Sequence, residues 1–344
     1  MLDIPGILGK LCAIGSPSGF ERPVVRAARE MLSGFCSRTE QDALGNLLGF
    51  APCGEENAPV LLLDAHLDEV GVIAAGSEEG YIRFRAHGGM DARVFPAQGV
   101  TFLTDPPVYG VVACLPPHIL SKAQAEASPG IDEMYIDTCG AYVPPGTPGV
   151  FDAEGFALSD TLYCAKSLDN RACFAALLRA LELLPRLEPL RGRKRRCDIV
   201  VCGSAQEEAR LRGAAAASWK IKPQYAVVTD VTFAAQPDTE PDGVFALGSG
   251  PAVGVGPVCD RKMAERISAL AREHGIPHNI EVMTSRTGTN GDVIGVAAGG
   301  VMCAVLSLPL RYMHTPSEVI HTGDLENLAR LLAEYILTLG GEAL

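Results

Sequence analysis

Pro59-Val60-Leu61-Leu62-Leu63-Asp64-Ala65-His66-Leu67-Asp68-Glu69-Val70-Gly71 places an aliphatic run directly before a cluster of polar side chains. Nearly continuous apolar residues predict a strand covered on both faces, the pattern of a parallel sheet in an α/β fold. In open α/β sheets ligands bind beyond the C-terminal ends of the strands, which makes His66 and Asp68 candidate site residues. A surface loop holding a hydrogen-bonded histidine accounts for this segment equally well when it is read alone.

The pattern recurs along the chain. Ile199-Val200-Val201-Cys202-Gly203-Ser204-Ala205-Gln206-Glu207-Glu208 is a second apolar run and ends in adjacent acids. Tyr225-Ala226-Val227-Val228-Thr229-Asp230 is a third, and Val301 to Leu308 is a fourth, followed by Pro309-Leu310-Arg311-Tyr312-Met313-His314-Thr315-Pro316. Between them, helical periodicity predicts helices over 172–184, ending near Pro185, and over 211–219, 261–274 and 325–339, the last capped by Asp324. Asp169, in Ser167-Leu168-Asp169-Asn170-Arg171, has a sufficient local reason as a helix cap. At the N-terminus a short helix is expected over 5–13. Ser18 with Glu21 reads as a capping box for the next helix, and Asp42-Ala43-Leu44-Gly45-Asn46 as a turn between strands.

From about 72 to 160 the texture changes to short β-like pieces separated by Pro and Gly turns, with one helical turn around 117–126. Strands at this spacing predict a small barrel or sandwich inserted into the α/β unit.

Composition narrows the function. The chain of 344 residues is 47% hydrophobic and carries a net charge of −12, with a pI near 5.1. This argues against nucleic acid or anionic membrane as the main partner. The basic run Arg191-Gly192-Arg193-Lys194-Arg195-Arg196 reads as a solvated connection. Neither a leader peptide nor a membrane-length apolar run is recognisable, so a cytoplasmic location is expected. Eleven cysteines without a CxxC pair fit neither a disulfide framework nor a zinc finger.

Parallel strands bring His66 and Asp68, Glu207 and Glu208, Asp230 and His314 to one edge of the sheet, with Asp169 at a helix start. Two imidazoles among carboxylates suit zinc, cobalt or manganese rather than calcium. The donors are too many for one tetrahedral ion. A pair of ions roughly 3.5–4 Å apart sharing a carboxylate would use them all. Neighbouring residues in extended chain point opposite ways, so Glu208 is expected to bind metal and Glu207 to act as general base toward water. Asp68 is placed to hold the second ring nitrogen of His66. His87, His118, His274, His278 and His321 lack carboxylate company or a vacant role and read as structural.

Ala65-His66-Leu67-Asp68-Glu69-Val70-Gly71, Ser167-Leu168-Asp169-Asn170-Arg171, Gln206-Glu207-Glu208, Asp230-Val231-Thr232 and Leu310 to Pro316 together resemble the signatures of the tetrahedral (TET) metallo-aminopeptidases. That family includes deblocking and glutamyl aminopeptidases, and some members are labelled endoglucanase M. The resemblance runs in order over nearly the whole chain. It implies a mixed, largely parallel α/β sheet with helices on both faces, a catalytic domain over 1–71 and 160–344, and an inserted β domain over 72–159 that mediates dimerisation. It further implies two divalent metal ions per subunit, one on His66 and Asp230 and one on Glu208 and His314. Asp169 would bridge them, Glu207 would be the base and Asp68 the support of His66. Dimers would build a hollow tetrahedral dodecamer admitting peptides. Where relatives read Gly-Thr-Asp-Ala near the substrate pocket, this chain has Gly288-Thr289-Asn290-Gly291-Asp292.

Three other readings compete. A related dinuclear deacylase or carboxypeptidase would not need a free N-terminal amine. A glycosidase needs only two carboxyls and leaves His66, His314 and Asp230 without work. A non-catalytic scaffold leaves both the ligands and the base unexplained.

Overall fold

The computed structural model describes residues 1–121, 126–240 and 242–340. The four apolar runs are the strands Val60–His66, Asp198–Ser204, Tyr225–Phe233 and Met302–Arg311. They lie side by side in the order 198–204, 60–66, 225–233, 302–311, all parallel. Antiparallel strands extend this centre on both flanks: Leu47–Ala51 and Arg38–Gln41 on one, Glu318–His321, Leu162–Ala165 and Phe156–Ala157 on the other.

Side chains on a strand alternate between faces, and here both faces are apolar. Leu61, Leu63 and Ala65 pack in one cluster with the helices Leu168–Arg191 and Thr322–Ile336. Leu62 packs on the opposite face with Val200, Cys202, Val228 and residues of the helix Arg212–Ile221. Cover on both faces is what the unbroken aliphatic run encodes. The register pairs Ser204 with His66, Val228 with Asp64 and Asp230 with Ser307, which aligns the strand ends at one edge.

The second unit is a closed antiparallel barrel of six strands: Gly71–Glu78, Tyr81–His87, Tyr135–Asp137, Val108–Ala113, Gly99–Phe102 and Pro148–Phe151. Val100, Phe102, Ile82, Phe84 and Ile136 alternate inward and fill it together with Phe95. The chain enters the barrel straight from the His66 segment. The helical turn expected around 117–126 falls partly on residues 122–125, outside the described residues; Pro117–Ile119 makes one 3-10 turn.

Three local expectations differ. The helix from Leu168 continues through Pro185 and Pro189 to Arg191, where Gly192, at φ +60°, closes it and the Arg191 guanidinium pairs with Glu334. Ser18 does not cap the helix Arg22–Leu32, because its hydroxyl is taken by Asp68; the Ser16 hydroxyl receives the Val24 N–H instead. Asp324 does not cap the last helix either. It accepts the Gly248 and Gly250 N–H groups at 2.7 Å, and His321 stands at the cap with Nδ1 on the Gly323 N–H.

The basic run is largely exposed, as a solvated connection should be; within it Arg195 donates to the carbonyls of Ala51, Pro52 and Cys197, and Arg196 pairs with Glu55. Among the described residues no helix is long and apolar enough to cross a membrane.

Candidate metal centre

The polar residues that follow the four parallel strands meet those that open the helix at Leu168. Asp169 lies between two imidazoles. Its Oδ1 is 3.0 Å from His66 Nε2, and its Oδ2 is 3.3 Å from His314 Nε2. Asp230 approaches from the His66 side, with Oδ1 3.9 Å from His66 Nε2. Glu208 approaches from the other, with Oε1 3.2 Å from His314 Nε2. Donor atoms of His66, Asp169 and Asp230 lie within 4.8 Å of one another, as do those of Asp169, Glu208 and His314, and those of His66, Glu207 and Glu208. The six residues expected to hold metal or act as base are thus gathered in one place, in three groups that overlap pairwise at Asp169, His66 and Glu208.

Asp68 is fully buried and holds two of these segments together. Its oxygens receive the Glu207 N–H at 3.0 Å, the Glu208 N–H at 3.1 Å and the Ser18 hydroxyl at 2.5 Å. His66 Nδ1 faces the same residue, 3.2 Å from the Asp68 carbonyl and 3.5 Å from Oδ1. The Asp68 carboxylate therefore holds the backbone that presents both glutamates, while its main-chain carbonyl is the hydrogen-bond partner of His66 Nδ1.

Glu318, which the sequence reading did not single out, does the corresponding work on the far side. Buried at 2% exposure, it accepts the Asp169 N–H at 3.0 Å on one oxygen and the His314 N–H at 2.9 Å on the other. The one available signal was an acid opening the apolar segment Val319-Ile320, four residues after His314. A buried ion cluster lies beneath: Glu69 pairs with Lys166 at 2.7 Å and with Arg171 at 3.0 Å. Arg171 also donates to the carbonyls of Leu67, Leu11 and Ile14.

Asn290 is buried and donates to Asp64 Oδ2 at 2.7 Å and Ser204 Oγ at 2.9 Å. An amide there supplies donors to a fully buried acid, which a second carboxylate at 290 could do only when protonated. Asp292 is occupied locally, accepting the N–H and hydroxyl of Thr287.

Crowded acids shape the electrostatics. Burial pushes the Glu207 carboxyl up to about 8, with Glu208, Asp169 and Asp68 adding to the rise and His66 opposing it. Burial likewise raises Glu208 and lifts Asp230 and Glu318 well above the usual carboxylate range. Burial disfavours charge on the two imidazoles, but their hydrogen bonds to carboxylates outweigh it. His66 ends well above its ordinary value, and His314 is pushed up to about 11. Burial opposes ionisation of Asp169 too, yet the bonds to His314 and His66 hold it below the usual range.

These shifts set the pH response of the metal-free protein. The acids with raised folded values stabilise most below about pH 4.5, and that contribution is lost as pH rises toward about 8. His66 and His314 act with the same sign, their contribution being full below about pH 6.5 and lost as pH rises through their raised folded values. Asp169 changes only in the acid range below. Thermal unfolding of chelator-treated protein is therefore expected at a lower Tm at pH 8.5 than at pH 6, with the gap narrowed by zinc. A metal-free Tm that rises over this interval would contradict the assignment.

Residues 45–331 match the M42 glutamyl aminopeptidase family. The chain is 31% identical over 337 residues to a lysyl aminopeptidase of Pyrococcus furiosus, covering 94% of both sequences. Among solved structures it is similar to a TET aminopeptidase of a marine sediment Thaumarchaeota archaeon (TM-score 0.89, 26% identity, 98% of this chain and 96% of that one). It is also similar to the TET1 peptidase of Pyrococcus horikoshii, described as assembling into a tetrahedron or a large octahedral shell (TM-score 0.83, 26% identity, 98% and 100% covered).

Proposed function

The chain belongs to the M42 glutamyl aminopeptidase family and is a peptidase, and we propose that it removes N-terminal residues from peptides at a centre for two divalent ions, with Glu207 as general base. The observation that carries this reading is the Asp169 carboxylate, which offers one oxygen to His66 and the other to His314. His66 and Asp230 would hold one ion, Glu208 and His314 the other, and Asp169 both. The donor set fits zinc, cobalt or manganese. Burial and crowding oppose ionisation of Asp230, Glu208 and Glu207, and divalent ions bound among them would favour the carboxylates. When bound, such ions polarise a carbonyl, acidify water and stabilise developing negative charge.

The protein's own groups do the rest. Glu207 takes a proton from the attacking water and returns it to the leaving amine, acting first as general base and then as general acid. Asp68 fixes the backbone of Glu207, so the base does not drift from the reacting atoms. Surrounding burial excludes bulk water and strengthens each of these interactions.

Self-association is part of the reading. The barrel exposes Tyr109, Val111, Leu115, Ile119 and Tyr142, apolar side chains that support a role in dimerisation for the inserted unit, whose strands run from Gly71 to Phe151, while Phe156–Ala157 already pairs in the main sheet. A tetrahedral dodecamer of such dimers would screen out folded proteins and admit peptides. All eleven cysteines are free, seven of them buried, which supports a reducing, cytoplasmic setting.

The test uses aminoacyl chromogenic substrates and their N-acetylated counterparts with zinc, cobalt or manganese. Only free-amine substrates are expected to turn over, and a chelator should abolish that activity until metal is restored. Equal cleavage of acetylated substrates would favour a deacylase or carboxypeptidase. Chelator-resistant hydrolysis of a β-glucan would favour an endoglucanase.

A further inference from the structure

The strand Tyr81–His87 belongs to the barrel, yet the residues that follow it lie against the metal centre. His87 Nε2 donates to the Ser18 carbonyl at 2.8 Å, and the Ser18 hydroxyl in turn binds Asp68. On the opposite flank the Gly89 carbonyl receives a hydrogen bond from His314 Nδ1. A carbonyl only accepts, so Nδ1 of His314 carries a proton. Nε2 is then the ring atom aimed at Asp169 and Glu208, 3.3 and 3.2 Å away.

His314 needs such a brace. It stands on the loop after the strand Met302–Arg311, at φ +61°, with its side chain 26% exposed. Its backbone is held by Glu318, but among its described contacts Gly89 alone engages Nδ1.

We propose that the inserted barrel is a working part of the metal centre: the Gly89 carbonyl orients His314 and fixes its Nδ1 proton, tuning the ion held by Glu208 and His314. Gly89 is a positioning residue acting through its backbone, and the proposal rests on the two-ion reading above. It gives the barrel a task separate from self-association. A metal-binding imidazole is oriented by whatever its other nitrogen binds, and loss of such a partner typically weakens metal affinity about 10–100-fold.

Two glycines allow a discriminating test. Gly88 has φ +96°, and a Cβ there would stand 2.6 Å from Val70 Cγ1, so Gly88→Ala must displace the segment and its carbonyls. Gly76, in the barrel strand Gly71–Glu78, has nothing within 4 Å of a Cβ, so Gly76→Ala leaves the segment at 88–89 in place. Full-length protein stripped of metal is titrated with zinc against a competing chelator, and assembly is followed by size-exclusion mass. Wild type is expected to take up two ions. Gly88→Ala should weaken one step about 10–100-fold while sparing the other and the assembly state, and Gly76→Ala should stay within about threefold of wild type.

Two ions bound by Gly88→Ala with wild-type affinity, equal weakening of both steps, or the same loss in Gly76→Ala would each overturn the proposal while leaving the two-ion reading intact. A wild type that takes up fewer than two ions would overturn both. Should Gly88→Ala not fold, the ring 15N shifts of His314 in zinc-loaded wild type decide. Protonated Nδ1 with Nε2 bound to metal is expected, and the reverse arrangement would overturn the proposal.

Discussion

Glu207→Gln is expected to lower kcat by about 10²–10⁴-fold, the range of lost general-base catalysis, with both ions still bound and the fold unchanged. The substitution keeps the side chain's size and removes its ability to take a proton. Its backbone N–H stays on Asp68 at 3.0 Å, so the turn that presents Glu208 is not disturbed. Neutralising an acid whose carboxyl is already pushed up to about 8 should also raise the Tm of the metal-free protein at alkaline pH, because one unfavourable charge is gone. Metal stoichiometry, steady-state kinetics and a Tm series from pH 6 to 9 check the three parts. Wild-type turnover in the variant would remove Glu207 from the chemistry. Loss of metal together with activity would make it a ligand instead.

Asp169→Ala should have the larger effect. Its carboxylate is the shared neighbour of His66 and His314, so its loss weakens both ion positions together, whereas loss of Asp230 or Glu208 strikes one first. Metal stabilisation of the reaction is worth several kcal/mol, and about 1.36 kcal/mol corresponds to tenfold in rate. Activity should therefore fall by about 10³-fold or more, with bound metal dropping below two ions per subunit. The variant should also lose the coupling between the imidazoles. His66 and His314 owe part of their raised values to this one carboxylate, so both should titrate at lower pH in the metal-free variant. Elemental analysis and NMR titration of the ring protons check this. Two ions held at wild-type affinity would sink the bridging role.

The parallel core was legible in the sequence because its strands have no polar face. Leu61, Leu62 and Leu63 cannot all be buried unless both sides of the strand are covered, and helices cover them. The candidate ligands were legible for a related reason. His66 ends a buried strand, Asp230 sits within the last residues of another, and the turns beyond two more carry Glu207, Glu208 and His314, so parallel pairing alone carries them to one edge. The assignment of each donor to an ion came from family resemblance, not from periodicity. Local misreadings arose where a residue's partner lies far along the chain. Ser18 has the spacing of a capping residue, yet its hydroxyl goes to Asp68, 50 positions away. Asp324 opens a helix as a cap would, yet serves Gly248 and Gly250.

What surrounds the candidate ligands belongs to the same class. Glu318 bracing Asp169 and His314, Asp68 gripping the backbone of Glu207 and Glu208, and the barrel's Gly89 touching His314 leave no mark in hydrophobic pattern. Periodicity along a chain records which side of an element meets water, because burial acts on every residue of a face at once. A hydrogen bond depends on one donor and one acceptor arriving within about 3 Å, and that is decided by which strands become neighbours and where the inserted barrel comes to rest. The chemistry of the site was therefore written in residue type and position, while its orientation was settled by contacts between segments as distant as Gly89 and His314.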